Sequence, residues 1–376
     1  MDGKILATIV AVVLAGGLFG FLQVTSFAAL PAAGKETVKI GVVAPFTGKQ
    51  AAYGEGIREG LELALEEINS DPKLNFKIEL IYEDNAGDVK SGVSGAQKLM
   101  GIDAVAAVIS GVSQNSMAIA PIAQERKIVL YTMASQTSAL NNAGEYVFKN
   151  DDDLYSLGTR EAELIFGFGH RDVAVLFAEY NDATVDAKNA FVKRFGELGG
   201  TVAVVEGYGQ NETDFRTHLS KIESAKPAAL FLDTLMGDNV AILKQIKEAG
   251  LKAKLFANGT VEDSQVIGGA GDAAEKVVFV TFQAPPSDSF VQKSEAKFGH
   301  YPKRWAPEAY DGLRIIAAAL SKIGHGGISG WSLQEKLSGI REFSGESGNI
   351  KFDSEGNARR SMFIKVIRNG KFELYG

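Results

Sequence analysis

An alternation of short apolar runs and segments of helical period extends through most of the chain. From Thr37 onward, β-rich runs such as 38–44 are followed by stretches such as 53–69, in which apolar residues recur at helical spacing. The first run is almost continuously apolar, as expected of a strand covered on both faces. This order of elements is typical of βαβ units built on a parallel sheet. The pattern therefore predicts an α/β fold.

The alternation occurs in two consecutive series of similar size. The first ends with the run 128–132, and the second extends from a helical segment near Leu154 to the run 277–281. A chain of 376 residues exceeds the size at which single hydrophobic cores stop growing, so two domains are expected. We predict two doubly wound parallel-sheet lobes of the α/β class.

The C-terminal part departs from this alternation. After the segment 284–286, helices come first and short strands follow, with a hairpin turn expected at Asn369-Gly370. This order indicates that the chain returns to both lobes, so several connections cross between them and form a multi-strand hinge. The predicted division assigns residues 36–153 and 284–341 to lobe 1 and residues 154–283 and 342–376 to lobe 2.

The N-terminus has the pattern of an export signal. Lys4 supplies a positive charge, an uncharged apolar run follows over 5–22, and the segment 26–28 places small residues where a signal peptidase reads them. We predict a signal peptide over residues 1–28, with Ala33 as the alternative cleavage position. Because the apolar run approaches the length of a membrane span, an uncleaved anchor is the alternative. Both readings place the folded part outside the cytoplasm, in the periplasm.

Charge and cysteine content exclude several classes of protein. The net charge is −7 and the 39 Lys and Arg residues are scattered, which argues against a nucleic-acid partner held through phosphate contacts. The chain has no cysteine, so it can form no disulfide, no thiolate metal site and no thiol nucleophile. A lipoprotein anchor, which needs a cysteine, is excluded as well.

Motifs for enzymatic chemistry are weak or absent in the sequence. Gly54-Glu55-Gly56 with Gly60 lies ten residues past the first strand and lacks the spacing of a dinucleotide fingerprint. There is no P-loop and no Gly-x-Ser-x-Gly elbow. The four histidines lack ligand-spaced partners; they are His170, His218, His300 and His325. We therefore expect no cofactor, no metal site and no enzymatic activity, and an enzyme ranks last among the alternatives.

Hydroxyl-bearing loops follow two strands of the first series. In open α/β sheets, ligands bind beyond the carboxyl ends of the strands, where helix N-termini present free N–H groups. Ser113 and Gln114 lie in one such loop, and the second contains Ser135, Gln136 and Thr137. These five residues are candidate ligands for a carboxylate. A helix-capping role for Ser113 or for Asn115 in the same loop is the alternative.

Two further candidate residues lie beyond the ends of predicted strands, and a third strand end is acidic. Tyr53 lies beyond the first strand and would form an aromatic wall, although a packing role is equally compatible with its position. In the second series, Asp182 follows a strand and could bind a ligand ammonium or cap a helix. Asp233-Thr234 occupies an equivalent strand end.

Several stretches, taken in order, resemble the leucine/isoleucine/valine-binding proteins, the branched-chain amino acid group of type I periplasmic binding proteins of ABC importers. The resemblance extends from about Val38 to the C-terminus. The matching stretches are Ile40-Gly41-Val42-Val43-Ala44-Pro45-Phe46-Thr47-Gly48, Tyr53-Gly54, Glu67-Ile68-Asn69, Asp214-Phe215, Gly271-Asp272-Ala273-Ala274-Glu275 and Ala309-Tyr310-Asp311-Gly312.

The resemblance implies that the first lobe holds the carboxylate and amino group of an amino acid and that the second lobe closes over them. The resemblance implies that Tyr53 corresponds to the residue that forms the aromatic wall of the family's binding site. Ser113 corresponds to the hydroxyl-bearing residue after the third strand. Ser135 and Gln136 stand where the family often has Ala-Thr, so Gln136 replaces the threonine unless Thr137 takes that role.

The second lobe departs from the family pattern at three places. Asp182 stands at the usual tyrosine, Met236 lies in the loop that usually carries glycine and tyrosine, and Asn258 replaces an acidic residue. The loss of that carboxylate would leave a bound ammonium unpaired in a closed site, which is costly.

The function that the resemblance implies is capture of an amino acid or related small polar solute and its delivery to an ABC transporter permease. We expect a monomer with a small-molecule ligand and no nucleic-acid partner. A ligand-sensing module that reports to a membrane partner is the alternative, and an uncleaved N-terminal helix would favour it. A LacI-type repressor shares the lobe architecture, but a signal segment stands here in place of a DNA-binding headpiece.

Overall fold

The computed structural model describes residues 35–324 and 326–375. The predicted signal peptide lies outside the described residues. Among the helices of the described part, none has the length and apolar character needed to cross a membrane.

The first lobe is built on a five-stranded, entirely parallel sheet. Its strands are β1 (Glu36–Ala44), β2 (Phe76–Asp84), β3 (Ala107–Gly111), β4 (Val129–Met133) and β5 (Val147–Lys149). The helices between them are α1 (Ala51–Ser70), α2 (Val89–Gly101) and α3 (Ser113–Arg126), and a 3₁₀ turn spans Ser138–Leu140. The spatial order β2-β1-β3-β4-β5 places β1 between two neighbours, which agrees with its continuous apolar run.

The second lobe continues the same alternation. Its strands are β6 (Asp172–Ala178), β7 (Thr201–Tyr208), β8 (Ala229–Asp233), β9 (Lys254–Asn258) and β10 (Val278–Thr281). Its helices are α4 (Leu154–Gly167), α5 (Asp182–Glu197), α6 (Arg216–Ala225), α7 (Met236–Ala249) and α8 (Ser264–Ala270), with 3₁₀ turns at Gly259–Val261 and Gly271–Ala273. Asp153 and Asn181 cap the first turns of α4 and α5 with their side chains.

The C-terminal part returns to both lobes. It contains α9 (Asp288–Phe298), α10 (Ala306–Leu320) and α11 (Gly330–Ser338), then β11 (Glu342–Gly345), β12 (Gly348–Phe352), β13 (Ala358–Arg360), β14 (Phe363–Arg368) and β15 (Lys371–Leu374). Strands β14 and β15 add antiparallel strands to the second sheet, whose order is β15-β14-β10-β9-β8-β6-β7. The predicted turn at Asn369-Gly370 joins them, with both residues at positive φ.

The predicted fold class is confirmed, with one addition: the second sheet carries two antiparallel strands at one edge. The predicted division into residue ranges stays a prediction. Strands β11–β13 form a separate antiparallel sheet, and Ile350 and Ala358 of this sheet belong to the same apolar cluster as Ile40 of β1.

The connections between the lobes are hydrogen-bonded to one another. Lys149 and Asn357 form a parallel bridge, and the Arg360 Nε donates to the Asn150 carbonyl oxygen at 2.8 Å. On the third connection, the Ala284 N–H donates to the carbonyl oxygen of Ser347 at 3.4 Å. These contacts hold the crossing segments side by side, as a multi-strand hinge requires.

The glycines of α1 explain the weak nucleotide-like motif. A Cβ on Gly56 would lie 1.9 Å from the carbonyl oxygen of Arg304, and one on Gly60 would lie 2.0 Å from that of Ala306. Both distances are far inside van der Waals contact. These glycines let the backbone of residues 304–306, at the start of α10, lie directly against α1, which is a packing role.

Candidate functional site

The carboxyl ends of the strands in the two lobes face each other across a cleft. A cavity there contains about 380 Å³ of space not filled by protein atoms, part of which is open to solvent. It lies where an open α/β sheet is expected to bind a ligand. The lining residues are Gln50, Tyr53, Val112, Ser113, Ala134, Gln136, Leu154, Asn181, Ala183, Leu235, Thr260 and Trp305.

The start of α3 supplies the first-lobe wall. Val112 occupies the N-cap position with φ of 63° and provides no side-chain cap. Within the described part of the chain, the backbone N–H groups of residues 113–115 have no protein acceptor. Because such N–H groups and the helix dipole favour negative charge, this end of α3 is suited to a carboxylate. The Ser113 side chain is buried beside them.

Two aromatic rings form a second part of the wall. Tyr53 and Trp305 stack with ring centroids 6.1 Å apart. The Tyr53 hydroxyl accepts a hydrogen bond from the Met236 N–H at 3.3 Å, and burial raises the pKa of this phenol above its ordinary value. The phenol therefore stays protonated and keeps one hydrogen to donate. The buried Trp305 Nε1 has no partner among the residues that the structure describes.

Of the nine residues predicted from the sequence, three line the cavity: Tyr53, Ser113 and Gln136. Two more, Ser135 and Thr137, flank the lining residue Gln136 along the chain, and their side chains contact other protein groups. The Ser135 Oγ is within 2.8 Å of the Ser116 Oγ and donates to the Met133 carbonyl oxygen. The Thr137 Oγ1 accepts from the Ala139 N–H at the start of the 3₁₀ turn.

The remaining four predicted residues lie outside the lining. Met236 and Asn258 are buried, and the Asn258 side chain donates to Asp233 and to the Thr234 carbonyl oxygen. Gln114 donates to the Tyr180 carbonyl oxygen of the second lobe at 2.6 Å. Asp182 is exposed on the first turn of α5, and the preceding residue, Asn181, lines the cavity instead.

Hydrogen bonds and an ion pair hold the lobes together around the cavity. Besides the Gln114 and Met236 contacts, the Ser138 Oγ donates to the Asp186 Oδ2 at 2.5 Å. Lys49, from the loop before α1, reaches Asp238 of α7 with 2.6 Å between Nζ and Oδ1. The structure thus shows the lobes closed over the cleft.

Asp233, the buried carboxylate at the end of β8, gives a test of the second-lobe strand ends. Burial raises the pKa of Asp233 to about 8, partly opposed by the hydrogen bond from Asn258. An unfolded aspartate titrates near 3.9, so between about pH 4 and 8 the folded state binds more protons, and stability falls as the pH rises. Asp233→Asn should remove this dependence, so its free energy of unfolding relative to that of the wild type should rise by about 3–4 kcal/mol from pH 5 to pH 8.

Urea unfolding at pH 5 and pH 8 measures this difference directly. Equal pH dependence in wild type and Asp233→Asn would contradict a proton held by this carboxyl group.

Sequence reasoning missed several lining residues, above all Trp305, Asn181 and Thr260. Trp305 lies at the entrance to α10, far along the chain from the strand ends that the sequence pattern located. Thr260 follows β9 and Asn181 follows β6, so the rule that placed Asp182 and Asn258 selected loops that line the cavity. The sequence does contain a signal for Asn181, since asparagine is a preferred N-cap residue.

Comparison with known proteins gives the family. The sequence profile of the family described as Periplasmic binding protein matches residues 37–371. The chain belongs to this family. Periplasmic binding proteins with similar sequences include Leu/Ile/Val-binding protein homolog 2 of Brucella abortus, 25% identical over 354 residues, with 90% of this chain and 93% of the relative covered. A second is the leucine-, isoleucine-, valine-, threonine-, and alanine-binding protein of Pseudomonas aeruginosa, 25% identical with 92% and 93% covered.

Solved structures of ABC-transporter binding proteins share the fold. A leucine-binding protein, LivK, from Thermotoga maritima matches with a TM-score of 0.82 and 26% identity, over 90% of this chain and 98% of that one. A solute-binding protein from Rhodopseudomonas palustris in complex with 3,4-dihydroxybenzoic acid matches with a TM-score of 0.83 and 28% identity, over 89% and 95%. The resemblance to the branched-chain amino acid group and the two-lobed fold are thereby confirmed, and these relatives are solute-binding proteins rather than enzymes.

Proposed function

We propose that this periplasmic binding protein captures a small carboxylate-bearing solute, such as an amino acid or a related acid, and delivers it to an ABC transporter permease without chemical turnover. The observation that carries the proposal is the uncapped start of α3, whose free N–H groups open into a cavity between closed lobes. An amino acid and an aromatic acid, the solutes named for the relatives, both present a carboxylate that such a site can hold.

The mature chain is proposed to act as a monomer outside the cytoplasm, after removal of residues 1–28. Lobe closure links capture to delivery, because only the closed form buries the ligand and presents a matched pair of lobe surfaces to a permease.

A thermal-shift panel tests capture. Residues 35–376 are titrated with amino acids, amides, aromatic acids, aliphatic acids and oligopeptides. A true ligand binds only the folded state and should raise the melting temperature with concentration. Failure of every compound to do so would contradict solute capture. If a compound binds but its uptake by cells does not depend on this protein, the sensing alternative is favoured over transport.

Ser113→Ala tests the placement of the carboxylate. Loss of one hydrogen bond to a charged group should weaken binding about tenfold. The Ser113 hydroxyl makes no hydrogen bond to other described residues, so the melting temperature without ligand should change by less than about 2 °C.

The matched control for this prediction is Ser220→Ala on α6, an exposed serine in the second lobe, which should bind as the wild type does. Unchanged affinity in Ser113→Ala would remove Ser113 from the site.

A further inference from the structure

We infer that the ligand is a carboxylate without an α-ammonium group. Lys49 determines this specificity because its own ammonium group pairs with Asp238, a carboxylate of the second lobe. The inference rests on the proposed function and narrows its substrate class.

The free polar groups in the cavity are mostly donors. The N–H groups at the start of α3 and the Trp305 Nε1 all lack acceptors within the described residues, and Trp305 is only 1% exposed. Two independent elements therefore present donors to the same space, as a carboxylate requires. The Gln50 Oε1 is a buried acceptor without a donor; as a neutral amide oxygen it suits a hydroxyl group on the ligand.

A ligand ammonium would find no counter-charge in the cavity. Of the described residues that line it, none carries a charged side chain. A buried cation without a paired anion loses its hydration without compensation, so an amino acid would bind poorly unless a carboxylate behind the lining could reach it.

Asp238 is a buried carboxylate beside the second-lobe wall of the cavity. It lies in the first turn of α7, which begins directly after the lining residue Leu235, and its side chain is 2% exposed. Its Oδ2 accepts from the hydroxyls of Tyr180 at 3.2 Å and Tyr208 at 3.0 Å. Its Oδ1 pairs with the Lys49 Nζ at 2.6 Å. The protein thus supplies its own ammonium to this carboxylate.

Three other buried carboxylates near the cleft each keep at least one oxygen without a hydrogen-bond partner among the described residues, but each also has a contact within the protein. Asp151 faces the Arg360 Nε at 4.0 Å, and burial raises the pKa of Asp151 to about 6. Asp233 accepts from Asn258. The Asp263 Oδ1 caps the start of α8 through the Gln265 N–H. None of the three lines the cavity.

Backbone packing and two polar contacts position Lys49 across the cleft, with its side chain 37% exposed. Its backbone carbonyl oxygen lies 2.6 Å from where a Cβ of Gly237 would be, so the loop packs on the first turn of α7. Its Nζ also donates to the Glu212 carbonyl oxygen at 3.4 Å. A ligand ammonium would have to displace this side chain to reach Asp238.

Matched pairs of ligands test the inference. Each pair differs only in the α-ammonium group: leucine and isocaproate, valine and isovalerate, phenylglycine and phenylacetate. Calorimetric titration of the wild-type chain should show at least tenfold tighter binding of the acid without the ammonium group. Lys49→Met should bring this ratio to about one or reverse it, because Asp238 becomes available. Lys49→Arg, which keeps the charge, should retain the preference.

The control is Lys293→Met, which removes a lysine of similar exposure that pairs with Glu67 on the surface, and it should bind as wild type. Tighter binding of the amino acids by wild type, or an unchanged ratio in a folded Lys49→Met, would overturn the inference while leaving solute capture intact. If no compound of these pairs or of the thermal-shift panel binds, the proposed function and the inference fall together.

Discussion

Replacing Arg304 with methionine should lower the free energy of unfolding by about 3–5 kcal/mol, because the change leaves buried carboxylates without their counter-charge. Arg304 is 3% exposed. Its Nη1 donates to Glu308 and to the Gln283 Oε1, and its guanidinium lies 3.9 Å from the centroid of the Trp305 ring. Glu308 is buried as well and would remain unpaired.

The measurement for this variant is urea unfolding at neutral pH. The matched control is the double variant Arg304→Met with Glu308→Met, which removes both charges. Its free energy of unfolding should fall clearly less than that of Arg304→Met alone, because replacing a whole buried pair by apolar groups is often near neutral. An Arg304→Met variant as stable as the wild type would show that Glu308 does not depend on Arg304 for its counter-charge.

Gly60→Ala should lower the free energy of unfolding by about 2–3 kcal/mol, against the usual preference of a helix for alanine. A Cβ at this position would lie 2.0 Å from the carbonyl oxygen of Ala306 and 2.8 Å from its carbonyl carbon. Both atoms belong to the backbone, so no side-chain rotation can relieve the overlap. Helices α1 and α10 would have to separate, which opens the core of the first lobe.

Gly196→Ala is the matched control for the packing effect. Gly196 lies within α5 and has nothing within 4 Å of where its Cβ would be. The same substitution should therefore stabilise the protein by about 0.5–1 kcal/mol through helix propensity. Urea unfolding of both variants should give shifts of opposite sign, and a stabilising Gly60→Ala would disprove the close approach of α1 and α10.

The sequence pattern predicted most of the fold because each lobe repeats a local signal. Apolar runs of five residues or more, such as β1 and β8, stand out from helices of period 3.6. Strand β5 has only three residues (Val147–Lys149), too few to show a period. The pairing of β14 with β10 is a contact between distant segments, and no local pattern encodes which edge of a sheet a late strand joins.

The site was predictable where it depends on local order and not where it depends on tertiary contact. Ser113 follows a strand and begins a helix, so its place at the sheet edge follows from topology. Asp182 and Asn181 differ by one position at a helix start, yet Asn181 turns to cap the helix and lines the cavity while Asp182 points to solvent. Trp305 reaches the cavity only because α10 packs on α1.

The cavity beside Trp305 is proposed to hold one small carboxylate between the closed lobes, and the fluorescence of this indole tests that directly. The chain has two tryptophans, and Trp331 is 63% exposed, so Trp331→Phe leaves Trp305 as the only indole reporter. We expect a saturable, one-to-one change in its fluorescence during titration with the acid that gives the largest thermal shift. The change should follow the same affinity as the thermal shift and weaken about tenfold in Ser113→Ala. An acid that stabilises the protein while the emission of Trp305 stays constant would place the ligand elsewhere and contradict capture in this cavity.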